Sequence, residues 1–291
     1  MHYLILAVLI WASAFIAGKY SSQILDPVLV VQCRLLIAAL IVLPFFPKAY
    51  RLIPPSSRRR VWLLALLNFP AVLLLQFTGL YYTSAASAVT MIGAAPIIIV
   101  LVGYVFFRRP TTMLHWILGA VAFVGIFLIV SESDTGGDIS LWGCLLVLAG
   151  VVVFAFCVHM SQALLKYVPS AYYTTVILVL GALLCLPFTL LLTRNWHIGA
   201  DLSGILGVLY LGVGCTWLAY KLWYKGLPDT SAAVSGLISA LEPVFGVIMA
   251  VLLLGERLRL STLIGVILVI GATAASTLAP IIRARFKSKQ V

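Results

Sequence analysis

"GLYYTSAASAVTMIGAAP", residues 79–96, has a second copy further along the same chain: "GLPDTSAAVSGLISALEP", residues 226–243. A constant offset of 147 carries Gly79 onto Gly226, Thr83-Ser84-Ala85-Ala86 onto Thr230-Ser231-Ala232-Ala233, and Pro96 onto Pro243. Upstream, "LPF" at 43–45 answers "LPF" at 186–188. Downstream, "GAVAFVG" (119–125) answers "GVILVIG" (265–271). Chance supplies one such match but not all of them in order. The chain reads as one unit written twice, residues 1–137 and 138–291.

The solvent of that unit follows from composition. Of 291 residues, 63% are hydrophobic and 9% charged, against about 45–50% and about 25% in soluble domains. So little polar surface cannot coat a particle in water, and the class is an all-α integral membrane protein. A bilayer core takes about 20 apolar residues per helix. Apolar runs bounded by charge, Pro, Gly or Ser predict ten spans: 3–24, 28–46, 61–81, 85–107, 113–131, 140–162, 171–192, 203–224, 231–253 and 261–281. The longest expected loop is 47–60, "PKAYRLIPPSSRRR". Each copy then holds five spans. Five is odd, so the second copy enters the membrane upside down, the inverted-repeat build of many secondary transporters. Two similar halves facing opposite ways can exchange shapes, opening a midplane site first to one side and then to the other.

The formal charge of +11 is not a nucleic-acid signature. The basic residues sit in short clusters at 48–60, 108–109, Lys166, Lys225 and 283–289, which all fall on one side if the N-terminus is cytoplasmic. Only Arg194, Arg257 and Arg259 fall opposite. That bias obeys the positive-inside rule and places both termini in the cytoplasm. The opening "MHYLILAVLIWASA" imitates a signal peptide but has no Lys/Arg-rich start, and it continues through "FIAGKY"; it is expected to be the first span. The five cysteines show no CxxC or Cys/His spacing, so no metal, cofactor or disulfide framework is expected. No Walker A motif is present.

At this point the residues resemble a family. "IWASAFIAGK" (10–19), "CRLLIAALIVLPF" (33–45) and "SALEPVFGVIMAVLLLGERL" (239–258) are similar to signature stretches of the EamA-type branch of the drug/metabolite transporter superfamily. The resemblance covers nearly the whole chain. It departs in the first half, where "FFRRPT" (106–111) lacks the acid of "LLGERL". The resemblance implies a bacterial inner-membrane secondary transporter, not an enzyme. Such a protein exports small metabolites such as amino acids by alternating access, as a monomer or homodimer, with the lipid bilayer and a small-molecule substrate as partners. Carriage of sugar-linked nucleotides or lipid-linked sugars, and multidrug efflux, remain alternatives. An intramembrane enzyme would need paired catalytic groups, and the spans offer one clear acid, Glu242, and two histidines, His115 and His159, far apart in sequence.

Several residues stand out. Pro96 and its twin Pro243 remove a backbone hydrogen bond in mid-span and are expected to bend helices 4 and 9 as hinges. Glu242 has Ala95 at its twin position, so the acid breaks the repeat. An ionisable group in a span is a functional candidate, for proton coupling or a substrate amine, with a packing role as the alternative. Arg34 and Lys19 are candidates for a substrate carboxylate, with snorkelling to the interface as the alternative. Lys221 reads as a snorkelling residue. Trp11, Trp217, Tyr220 and Tyr81, with Phe15 and Tyr224, are candidates for a cavity lining or for plain packing. His159, with Gln162 near it, reads as hydrogen-bonded structure, with a proton relay as the alternative, and Asn68, Gln76 and "TSAASA" read as helix–helix contacts. Glu256 and Arg257 read as a helix end or a gate pair.

Overall fold

A computed structural model describes residues 2–108, 112–130, 140–228, 238–239, 241–255 and 259–287, without the side chains of 115, 129, 130, 273 and 276–287. Short polar caps start the helices. Asp26 accepts a hydrogen bond from the amide of Val28 (2.9 Å), Ser84 from that of Ser87 (3.1 Å) and Asp201 from that of Gly204 (3.1 Å). Each satisfies an amide that has no partner inside its helix. Among the described residues, six rods are long and apolar enough to cross a bilayer: α1 (His2–Ser21), α2 (Pro27–Leu52), α3 (Pro55–Tyr82), α6 (Leu141–Leu164), α7 (Ser170–Leu192) and α8 (Leu202–Gly226). A seventh, α4, consists of Ala85–Gly93 and Ala95–Phe107, bent by 41°. The remaining rods carry shorter apolar segments: α5 (Met113–Val130), α9 (Leu241–Leu254) and α10 (Leu260–Lys287). The chain is an all-α, multi-pass membrane protein.

Proline explains the largest bend. Pro96 has no N–H to give and its ring crowds the preceding turn, so α4 breaks at Ala94 and restarts with Pro96 in its first turn. Pro243 stands in the first turn of α9, whose preceding residues 229–237 and 240 lie outside the described residues, as do Thr230 to Ala233, Glu256 and Arg257.

One expectation is corrected. Residues 47–60 are not a loop: Phe46–Leu52 is helical and Pro55 begins α3. Pro44, Pro47 and Pro55 each stand at the first or second position of a helical turn. There the missing N–H has no intrahelical partner to lose, and the fixed φ suits the helix. The chain leaves helix only at Ile53-Pro54, where the residue before a proline is pushed to extended backbone.

Packing relates the halves. The C-terminal end of α3 lies so close to the start of α6 that a Cβ on Gly79 would stand 2.6 Å from the Gly143 carbonyl oxygen. At the twin position, the end of α8 lies against the start of α1, where a Cβ on Gly226 would stand 3.0 Å from Leu4. Likewise α4 packs on α9, α5 on α10, and α2 on α7. Leu190, Leu191, Phe127 and Leu252 stand exposed on the outside, as lipid contact requires, while Arg34, Gln32, Asn68, Thr216 and Ser161 are buried. Polarity is thus kept inside.

Candidate functional site

The site grows from two irregular helical turns. In α8, Leu211–Leu218 winds as a π-helix around Gly212 and Gly214. Its wider turns place the Thr216 hydroxyl 2.7 Å from the Leu211 carbonyl, to which it donates, and leave the Cys215 carbonyl to accept from Trp11 Nε1 at 3.0 Å. In α3, Leu67–Ala71 is also π-helical and contains Pro70. A residue without an N–H cannot close the ordinary i−4 bond, and an inserted residue absorbs the mismatch. The offset of 147 that relates the two sequence copies carries Leu67–Ala71 into Leu211–Leu218.

Arg34, on α2, is 2% exposed. Its Nε donates to Thr216 Oγ1 at 2.7 Å, and its guanidinium lies 4.8 Å from the centre of the Phe77 ring on α3. Phe77 in turn stacks on Phe15. Nη1 is buried with no hydrogen-bond partner. A buried cation without a carboxylate is costly, because its lost hydration is not replaced. Glu242 opens α9. Its side chain is half-buried. Arg34 and Glu242 both stand within electrostatic reach of Cys215 and Tyr220, yet no ion pair joins them. An acid and a cation therefore both act on one stretch of α8.

An aromatic and polar shell closes this region. The Tyr220 ring stands 5.0 Å from Trp11 and 5.0 Å from Phe69. Trp11 also meets Trp223 at 5.2 Å. Asn68 Nδ2 donates to Tyr224 OH at 2.7 Å, and Tyr173 OH pairs with Ser161 at 2.7 Å. Tyr173 packs edge-on against Tyr224 at 5.1 Å. α1, broken at Ser13, is tied to α8 by the hydroxyl pair Ser13–Tyr210 at 2.7 Å.

The other candidates stand elsewhere. Lys19 Nζ donates to the Thr83 carbonyl at 2.6 Å, capping the C-terminal end of α3. Trp217, half-buried against the core, carries Lys221 Nζ 5.1 Å over its ring. Tyr81 is 54% exposed and packs on Tyr82, outside the aromatic shell. Pro243 lies against α4, where a Cβ on Gly93 would stand 2.8 Å from it. His159 bonds the Ile99 carbonyl at 2.9 Å and lies beside Phe107, a contact between α6 and α4. Sequence reasoning missed Thr216, Cys215, Trp223 and Tyr173; the glycines of 211–218 were the one local signal for the first two.

The sequence profile of the EamA-like transporter family matches residues 1–131 and 141–278. An uncharacterized transporter of Haemophilus influenzae is 48% identical over 144 residues, covering 48% of this chain and 85% of that protein. One from Archaeoglobus fulgidus is 28% identical over 281 residues, covering 94% of this chain and 96% of its own. A protein of known crystal structure superposes with a TM-score of 0.66 at 19% identity, over 94% of this chain and 95% of that one, a likeness of fold.

Proposed function

The chain belongs to the EamA-like transporter family, and from that premise we propose that this membrane transporter exports small metabolites, amino acids foremost. It does so by alternating access between two inverted five-helix repeats, residues 1–137 and 138–291. The ten-span inverted reading is supported by the twin contacts Gly79–Gly143 and Gly226–Leu4, by the twin π-helical turns, and by the pairing of α4 with α9 and α5 with α10. Because the halves are inverted, closing one face of such a bundle opens the other. The basic clusters put both termini in the cytoplasm of a bacterial inner membrane.

One observation carries the amino-acid reading: Arg34 and Glu242 both act electrostatically on Tyr220 and Cys215, and no ion pair joins them. A zwitterion supplies one opposite charge to each. Glu242 takes the ammonium group or, on the empty return, a proton. Trp11 and Tyr220 line the space for the solute's apolar body, and Pro96 and Pro243 act as hinges. Sugar-linked nucleotides fit less well. Their several negative charges call for several cations, whereas Lys19 is engaged by Thr83 and Lys221 lies on Trp217 at the surface.

Counterflow in proteoliposomes tests this reading. Amino acids are expected to exchange without ATP, and Glu242→Gln is expected to abolish or flatten the pH dependence. Exchange of sugar nucleotides with none of amino acids refutes the substrate assignment; unchanged transport and pH profile in Glu242→Gln removes the acid from the mechanism.

A further inference from the structure

The geometry points to a monocarboxylate site at the edge of the Arg34 guanidinium, built by α2, α3 and α8. This inference rests on the transport reading above and narrows its substrates to solutes with one free carboxylate.

Two contacts fix the guanidinium and leave part of it without a partner. Phe77 supports one face at 4.8 Å. Thr216 holds Nε at 2.7 Å, and the Thr216 proton is committed to the Leu211 carbonyl at 2.7 Å, so that hydroxyl can only accept from Arg34. The plane and rotation of the fork are therefore set before any ligand arrives. What remains is the Nη edge, with Nη1 buried and unpartnered. A planar anion that takes two parallel N–H bonds is the group that completes such an edge.

The charge count favours one negative charge. Arg34 is the buried cation among the described residues; Lys19 is turned to the Thr83 carbonyl. A phosphate dianion would leave an uncompensated charge in a low-dielectric interior, whereas a carboxylate leaves none. The twin microsite shows what the cation adds. There, Tyr224 takes the place of Phe77 under the same offset of 147. Asn68, from the π-helical turn of α3, bonds it at 2.7 Å. That half is neutral, and its buried unpartnered atom is Asn68 Oδ1, an acceptor that an anion cannot complete, so anion recognition belongs to the Arg34 half alone.

Binding is measured separately from transport, by thermal stabilisation of the detergent-solubilised protein with L-alanine, propionate, L-alaninamide and ethylamine. L-Alanine and propionate are expected to stabilise the wild type, and the two carboxylate-free probes to have affinities about ten- to hundredfold weaker, the range for losing a hydrogen bond to a charged group. Arg34→Gln should erase that discrimination and Arg34→Lys should keep part of it. Equal stabilisation by L-alanine and L-alaninamide in the wild type overturns the site even if neither variant folds. So does undiminished discrimination in Arg34→Gln. Stabilisation by propionate without counterflow of any amino acid keeps the carboxylate site and sinks the amino-acid reading instead.

Discussion

Replacing Thr216 by Val keeps the shape of the side chain and removes its hydroxyl, which makes it a sharp probe of Arg34. Two bonds vanish together: the acceptor of Arg34 Nε at 2.7 Å and the donor to the Leu211 carbonyl at 2.7 Å. The guanidinium, already short of one partner at Nη1, is left buried with fewer still. A hydrogen bond to a charged group contributes about 1.5–3 kcal/mol, whereas those between membrane helices reach at most about 1.7 kcal/mol. The membrane figure governs here, because unfolding in a micelle also leaves polar groups some partners. Thr216→Val should therefore cost about 1.5–2 kcal/mol. In an Arg34→Met background the cation is gone, only the local bond to Leu211 is lost, and the same substitution should cost about 0.5 kcal/mol. Unfolding in mixed micelles, followed for wild type, both single variants and the double variant, yields the coupling directly. A cost for Thr216→Val that is the same in both backgrounds refutes the claim that Thr216 holds Arg34.

Gly79→Val should destabilise the protein by several kcal/mol, since its Cβ would meet the Gly143 carbonyl oxygen at 2.6 Å and backbone cannot swing aside. Gly226→Ala, facing the flexible Leu4 side chain at 3.0 Å, should cost much less in the same unfolding assay. The Asp201 carboxyl is held below its ordinary range by the Ser203 hydroxyl and the Gly204 amide. Its stabilisation is therefore present above the ordinary carboxylate pKa of about 4 and is lost as pH falls below it. Asp201→Ala should lower the thermal midpoint at neutral pH and leave it unchanged in acid. Tyr81→Ala, at a surface position, should leave solute binding within error of the wild type and cost about 0.5 kcal/mol of stability or less.

How far the sequence reaches is seen best at particular residues. The apolar runs and the 79–96 repeat were legible because lipid demands unbroken helices and the duplication is literal. The bend of α4 at Pro96 was legible because proline acts on its own helix. Proline also misled, at 47–60, because the same ring that breaks a helix interior begins a helix well at its first turn. The face each aromatic takes was not legible. In a bilayer the lipid side of a helix is as apolar as the protein side, so hydropathy does not separate Tyr220, which is buried, from Tyr81, which is exposed. The π-helical turns were hidden too. Thr216 and Cys215 acquire their roles from Arg34 and Trp11, which lie about 180 and 200 residues away in sequence and come near only in the fold.

The most direct test of alternating access around this site uses Cys215, which is buried on α8 against α1, its thiol donating to the Ile10 carbonyl at 3.5 Å. With Cys33, Cys144, Cys157 and Cys185 replaced, a small membrane-impermeant thiol reagent is applied to right-side-out and to inside-out vesicles. The account predicts that Cys215 is modified from both sides, and that a transported amino acid alters both rates. Reaction from one side only, with no response to any amino acid, would contradict it.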